Sequence, residues 1–364
     1  MQNVNLSYHV KNHIGWITLN RPSALNALSF EMIEALYMVL QQWENDDQVV
    51  FVCLEGEGDR AFCSGGDVKA LYDLRESTVL DYAFKFFTTE YMMNMTLFCY
   101  PKPILVYMNG VVMGGGVGIS IGASHRIVTE KTMWGMPEMN IGLYPDVGGS
   151  YFLNQMPGHI GRYLALTSKT IHTNDVIHIG AADYCIDSRD WNQLKVSLEI
   201  KNWSSEIVHD ELVDILFKHH QRAHNNSISS TEDKINNHFK FETMEEIIDS
   251  LEGASQSGDI WAFETVKLLL TKSPTSLKVT LKQLIEGKKK DLFECFKMEL
   301  NLSMNFMKGH DFFEGVRAVL VHKDRAPKWV PASLEAIKEH EVEAYFHYDW
   351  KGPHPLEAFI EKYK

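Results

Sequence analysis

The chain is short of cysteine, of basic charge and of long apolar runs, and each shortage excludes something. Its 364 residues hold five cysteines, Cys53, Cys63, Cys99, Cys185 and Cys295, an odd number with no CxxC pair. That pattern is no disulfide framework and reads as reduced thiols of a cytosolic protein. The 35 Lys and Arg stand against 48 Asp and Glu, a formal charge of −13, so the extended basic face that nucleic-acid binding needs is missing. An anionic ligand must find locally placed positive groups. No uncharged apolar run reaches the length of a membrane span. The stretch Met1 to Tyr8 has neither a basic leader with an apolar core nor an Arg/Ser-rich transit segment, and the location expected from it is cytoplasmic. Sixteen histidines show no H-E-x-x-H or comparable spacing, so no metal is expected. Neither G-x-G-x-x-G nor G-x-x-x-x-G-K-[ST] occurs, which disfavours nucleotide sites of the Rossmann or P-loop kind.

What is present is an ordinary globular composition, 45% hydrophobic and 23% charged, with length enough for one large core or two. Strand-like and helix-like stretches alternate through the first half. A strand at 13–20 is followed by a turn at Arg21 to Ser29 and a helix to about Asn45, with Met32, Leu36, Val39 and Leu40 at helical spacing. A strand at 49–55 leads to a glycine loop and helices near 68–75 and 78–98. A strand at 104–109 leads to Gly114-Gly115-Gly116 and a short helix to 124, and strands near 126–129 and 132–136 follow. This alternation argues a layered α/β fold. After about Asp190 the strand signals fade. Helical segments near 242–252, 258–272, 275–286 and 290–307 succeed a polar interval at 224–233, so a division into 1–190 and a mainly helical 191–364 is expected.

Two glycine loops carry the first chemical proposal. Phe62-Cys-Ser-Gly-Gly66-Asp67 and Met113-Gly-Gly115-Gly-Val-Gly each follow a strand and precede a helix. Glycine lets free N–H groups point into a cavity, and two such loops can supply one donor each to a developing oxyanion; the plainer reading is a pair of tight turns. Glu138 follows Pro137 in the otherwise apolar Met133-Trp-Gly-Met, where desolvation raises a carboxyl pKa and makes it a better base or a nucleophile. Asp146 follows Pro145 and precedes Val-Gly-Gly, a turn aimed at the same place; either acid can also be a cap or turn residue. Glu90 interrupts an aromatic and Met-rich helix stripe and reads equally as a site residue or a surface acid. Gly118-Ile-Ser120-Ile-Gly122 matches G-x-S-x-G, but Ser120 falls a turn into the helix rather than on a sharp elbow, and a small packing residue is the better reading. Cys63 has no local base and reads as a small buried residue. Lys288 to Lys290, with Lys278 and Lys282, form a solvated helix end or a phosphate contact.

The segments Asn20-Arg-Pro-Ser-Ala-Leu-Asn-Ala-Leu, Ala61-Phe-Cys-Ser-Gly-Gly-Asp-Val, Asn109-Gly-Val-Val-Met-Gly-Gly-Gly-Val-Gly and Met136-Pro-Glu resemble the enoyl-CoA hydratase/isomerase, or crotonase, superfamily across roughly residues 5–190. Pro137 to Gly149 and the tail Asp311-Phe-Phe-Glu-Gly-Val-Arg to Trp329 resemble its branch that hydrolyses 3-hydroxyisobutyryl-CoA. The resemblance implies a spiral of ββα turns with a helical carboxyl-terminal region, and hydrolysis of a short 3-hydroxyacyl-CoA thioester. It assigns the Gly66 and Gly115 N–H groups to an oxyanion hole and makes Glu138 the nucleophile or general base. Asp146 would orient substrate or water, and Glu90 would bind the acyl hydroxyl. The adenine end would lie near Ala24 to Ala27 and the first loop with Asp67. Coenzyme A is part of the substrate, so no separate cofactor is implied, and the resemblance allows a homo-oligomer. Hydratases of this superfamily place a first glutamate three residues after the central glycine of the triplet. Here that place is Gly118, which leaves hydrolysis as the reading.

Overall fold

The computed structural model describes residues 5–221 and 227–363, so Met1 to Val4 and residues 224–226 of the polar interval lie outside the described residues. The chain groups into two compact units of interleaved segments: 1–66, 92–135 and 171–229 form the first, and 67–91, 136–170 and 230–364 the second. These units cut across the division of sequence character at residue 190.

The first unit holds the sheets. β1 (Leu6–Lys11) and β2 (Ile14–Leu19) form a hairpin whose two-residue turn, Asn12 and His13, takes positive φ at both positions. β3 (Phe51–Gly56), β4 (Ala61–Cys63), β5 (Ile104–Met108), β6 (Val111–Met113), β7 (His125–Thr129), β8 (Met133–Gly135), β9 (Ile171–His172) and β10 (Tyr184–Ile186) follow. The long strands lie in the order β1-β2-β3-β5-β7-β10 and the short ones in the order β4-β6-β8-β9. From β2 onward the large sheet is parallel, with Ile14 facing Phe51, Val52 facing Ile104 and Leu105 facing His125. A long strand, a short strand and a helical segment thus recur: β3-β4 before the helix Val68–Asp73, β5-β6 before the helix Gly115–Ile121, and β7-β8 before the 3-10 turn Glu138–Ile141. That is the ββα spiral expected from the resemblance. Parallel strands are covered on both faces, which is why Phe51-Val-Cys-Leu and Ile104-Leu-Val-Tyr-Met are buried throughout. Ile14, Trp16, Phe51, Cys53, Leu105, Tyr107 and Ile127 pack against Trp191, Leu194, Leu198, Trp203, Val208, Leu212 and Leu216, which come from beyond the expected boundary. Tyr107 stacks on Trp191 with ring centroids 4.0 Å apart.

The second unit is helical, and its helix starts follow capping chemistry. Thr243, Asp259, Ser273 and Asp291 accept from the N–H three residues on, opening the helices Met244–Gln256, Ile260–Leu269, Pro274–Gly287 and Leu292–Phe306. Pro274 occupies the first turn, where its missing N–H is not needed. The Ser273 hydroxyl also donates to Asp311 Oδ2 at 2.6 Å, and Asp311 Oδ1 accepts from Val330 N at 2.8 Å, which ties the tail to the start of that helix. The helix Glu232–His238 occupies the end of the expected polar interval. Among the described residues, no helix is long and apolar enough to cross a membrane.

Candidate active site

In the first unit, the two glycine loops meet. Gly65 takes φ +113°, and a Cβ there would stand 3.3 Å from the Met113 carbonyl oxygen and 3.7 Å from Gly115 N. Leu28 N donates to Gly65 O at 2.9 Å and Ser64 N to Leu25 O at 3.0 Å, so the Ala24 to Ala27 segment runs beside the first loop. Asn26 fixes that segment: it is fully buried, its amide reaches Glu57 O and Ala61 O at 3.1 and 2.9 Å, and it accepts from Arg21 N at 2.9 Å. Gly66 pairs by a lone bridge with Leu28, and Asp67 starts the helix Val68–Asp73. Gly114, at φ 50°, turns the chain so that Gly115 becomes the first residue of its helix, a position whose N–H has no acceptor within the helix. A Cβ on Gly116 would stand 2.4 Å from Cys63 O, so only glycine lets the loops come this close. Cys63 is buried, as expected of a small packing residue. Ser120 donates to Gly116 O at 2.9 Å and Val117 O at 3.0 Å; it is bonded back into its own helix and is no nucleophile elbow.

In the second unit, the three expected acids are all buried: Glu90 is 2% exposed, Glu138 7% and Asp146 6%. Glu138 opens the 3-10 turn Glu138–Ile141, which Gly142 closes at φ +64°. The tail motif backs this turn. A Cβ on Gly142 would stand 2.4 Å from Asp311 O, and one on Gly315 would stand 2.2 Å from the Ile141 carbonyl carbon, so the helix Asp311–Val316 lies backbone to backbone on it. The buried Lys272 ammonium donates to Asn140 Oδ1, and Thr280 Oγ1 lies 3.3 Å from Met139 Sδ. The turn is therefore held from several sides while Glu138 Oε2 and Glu90 Oε1 have no partner among the described residues.

Asp146 sits on a second constrained turn. Val147 takes φ 50° and Gly148 φ 91°; for a β-branched residue the first is strained by about 1–3 kcal/mol. What holds it is Glu299 on the helix Leu292–Phe306, whose carboxylate accepts from Gly148 N and Ser150 N, each at 2.8 Å. Gln283 adds bonds from its amide to Pro145 O at 2.7 Å and Ser150 Oγ at 2.8 Å. One hydroxyl, that of Tyr91, reaches the Asp146 side chain, and those of Ser303 and Tyr144 stand behind it. Tyr91 Oη lies 3.0 Å from Asp146 Oδ2, 2.7 Å from Ser303 Oγ and 3.2 Å from Tyr144 Oη; Tyr144 Oη lies 2.7 Å from Ser303 Oγ and 2.5 Å from the Glu299 carbonyl oxygen. Tyr91, Tyr144, Glu299 and Ser303 were not expected as site residues. Tyr144 lies within the Pro137 to Gly149 motif and Tyr91 adjoins Glu90, but nothing near Glu299 or Ser303 in sequence marks them.

Burial dominates the electrostatics. It pushes the Glu138 carboxyl well above the usual range, with the neighbouring charges of Asp146 and Glu90 adding to the shift. Glu90 moves the same way, through burial and then Asp146. Asp146 is pushed up to about 7 by burial, against the lowering effect of the Tyr91 hydroxyl. Glu299 is pushed up to about 8 by burial despite its two N–H partners. Buried like charges cannot all ionise together, so the cluster shares its protons. A carboxylate that is buried, unpartnered and fixed on a rigid turn can attack a carbonyl or take a proton from water. The basic stretch is otherwise occupied: Lys278 pairs with Glu245, Lys282 with Glu343 and Lys290 with Glu286, while Lys288 and Lys289 are exposed, as in a solvated helix end.

A family model described as enoyl-CoA hydratase/isomerase matches residues 14–346. The chain is 41% identical over 342 residues to the 3-hydroxyisobutyryl-CoA hydrolase, mitochondrial, of Homo sapiens and 40% identical over 342 residues to that of Bos taurus; each match covers 92% of this chain and 86% of the relative. A solved structure of a carnitinyl-CoA dehydratase from Mycobacterium thermoresistibile superposes with a TM-score of 0.88 at 34% identity, covering 97% of this chain and 98% of that one. The curated relatives are mitochondrial by name, which overturns the cytoplasmic location expected above. That expectation leaned on the composition of Met1 to Tyr8 and on unpaired cysteines, and reduced thiols suit a mitochondrial interior as well as the cytosol.

Proposed function

This chain belongs to the enoyl-CoA hydratase/isomerase family, and within it we propose hydrolysis of a short 3-hydroxyacyl-CoA thioester, 3-hydroxyisobutyryl-CoA to 3-hydroxyisobutyrate and coenzyme A. The observation that carries the reading is likeness along 92% of the chain to enzymes named for that reaction. In this mechanism the Gly66 and Gly115 N–H groups take the thioester oxygen as it gains charge, which is worth a few kcal/mol of barrier. The Glu138 carboxylate either adds to the thioester carbon, expelling the coenzyme A thiolate and leaving an anhydride that water cleaves, or takes a proton from the attacking water. Either route consumes one water and yields one acid and one thiol. Asp146 orients substrate or water, Glu90 binds the acyl hydroxyl, and Ala24, Ala27 and Asp67 lie toward the adenine end. Coenzyme A enters as part of the substrate, with no further cofactor.

A lyase reading is favoured by one observation, the close superposition on a structure named as a dehydratase. Against it stands Gly118, the place of the first glutamate in hydratases, which has no side chain to handle a proton. Incubation with 3-hydroxyisobutyryl-CoA, 3-hydroxybutyryl-CoA and crotonyl-CoA, with products separated chromatographically, distinguishes the two. Free coenzyme A and hydroxy acid support the hydrolase; an interconversion of enoyl and hydroxyacyl thioesters without loss of coenzyme A rejects it.

A further inference from the structure

We propose that Glu299 is the positioning residue that aims Asp146, clamping a turn that its own sequence disfavours. Asp146 to Gly149 form a β-turn: Gly149 N donates to Asp146 O at 2.8 Å, while Val147 takes φ 50° and Gly148 φ 91°. Positive φ at both central residues is the type I′ pattern, which asks for Asn-Gly, Asp-Gly or Gly-Gly. Gly148 meets that demand. Val147 does not, because its branched Cβ crowds the left-handed region, and the side chain is buried besides. The turn must therefore be held from outside, and Glu299 holds it on both sides of Asp146.

After Asp146 in the chain, the fully buried Glu299 carboxylate accepts from Gly148 N and Ser150 N at 2.8 Å each, and the Ser150 hydroxyl adds a third donor. That hydroxyl accepts from Gln283 Nε2 at 2.8 Å, which leaves its own proton for Glu299. Before Asp146, the Tyr144 hydroxyl donates to the Glu299 carbonyl oxygen at 2.5 Å. One turn along the same helix, Ser303 Oγ lies 2.7 Å from Tyr91 Oη, and Tyr91 donates to Asp146 Oδ2 at 3.0 Å. The helix Leu292–Phe306 thus sets both the backbone and the side chain of Asp146. Three donors converging on one buried side chain need a group that only accepts. A glutamine would turn one arm into an NH2 that points hydrogens at hydrogens, and the turn would relax toward backbone angles that suit valine. Asp146 bears the consequence, because it is the carboxyl that orients substrate or water. That use rests on the hydrolase reading; the clamp itself does not.

The test is hydrogen–deuterium exchange of the full chain read by mass spectrometry, beside thiol release from 3-hydroxyisobutyryl-CoA and binding of a non-hydrolysable coenzyme A thioether. In Glu299→Gln the peptide spanning 144–152 should exchange faster while the strands of the first unit keep their protection. On the hydrolase reading kcat should fall by about 10²-fold, the loss expected when a reacting group is misplaced by about 1 Å, with KM and thioether affinity little changed. Adding Val147→Gly, which removes the conflict with positive φ, should restore a large part of kcat. A packing role alone would lower the melting temperature, leave kcat of the folded protein unchanged and gain nothing from Val147→Gly. If Glu299→Gln does not fold, the double variant decides: recovered folding supports the clamp, and continued failure overturns it. Unchanged exchange at 144–152 in a folded Glu299→Gln, or a lost kcat that Val147→Gly does not raise, would also overturn it. Faster exchange in the variant, when even the wild type releases no thiol, would sink the hydrolase reading and leave the clamp standing.

Discussion

Replacing Gly315 by alanine tests whether the tail motif supports the Glu138 turn. The ideal Cβ would stand 2.2 Å from the Ile141 carbonyl carbon, 2.3 Å from its oxygen and 2.5 Å from its Cα, all backbone atoms that cannot swing aside. Ordinary contact begins at 3.4 Å, so the helix Asp311–Val316 and the turn Glu138–Ile141 must separate by about 1 Å. Overpacking of this kind costs about 1–3 kcal/mol, and a displacement of 1 Å in a reacting group costs about 10²-fold in rate. Gly253 supplies an internal control. It lies in the helix Met244–Gln256 with nothing among the described residues within 4 Å of an added Cβ, so Gly253→Ala should gain about 0.5–1 kcal/mol from helix propensity alone. Thermal melting and thiol-release kinetics on the two variants read opposite signs: Gly315→Ala loses stability and about two orders of magnitude in kcat, while Gly253→Ala gains stability at unchanged kcat. A Gly315→Ala protein with wild-type melting and turnover would refute the claim that this backbone contact positions Glu138.

Ser120→Ala should hydrolyse at the wild-type rate, because its hydroxyl is spent on Gly116 O and Val117 O; a loss of more than about tenfold in kcat, with the fold intact, would contradict this. The buried Lys272 is pushed down to about 8 from 10.5 by burial. Its folded pKa is depressed, so the unfolded chain binds the extra proton between these values and stability should rise with pH across the window. Denaturation of Lys272→Met alongside the wild type should show that rise only in the wild type; parallel curves would exclude Lys272 as its source.

The core of the fold was legible because its strands are apolar runs that parallel sheets bury on both faces. β1 was not, since only Leu6 of its six residues is buried. β4 and β6, of three residues each, are too short to show a period. Glu90, Glu138 and Asp146 stood out because each is an acid in apolar or turn-forming surroundings, and all three proved buried. Their supporting groups were hidden for a different reason. Ser303 meets Tyr91 across 212 positions and Glu299 meets Gly148 across 151, and separations of that size leave no local signature in a helix that reads as amphipathic. The tail motif was visible as a resemblance, but its physical role, two glycine-mediated backbone contacts on the Glu138 turn, needed coordinates.

The most direct test of the central claim is release of free thiol from 3-hydroxyisobutyryl-CoA by the wild type and by Glu138→Gln, with binding of a non-hydrolysable coenzyme A thioether measured in both. The account predicts turnover in the wild type, near-complete loss of kcat in the variant and similar affinity for the thioether. Turnover by Glu138→Gln at the wild-type rate would contradict it.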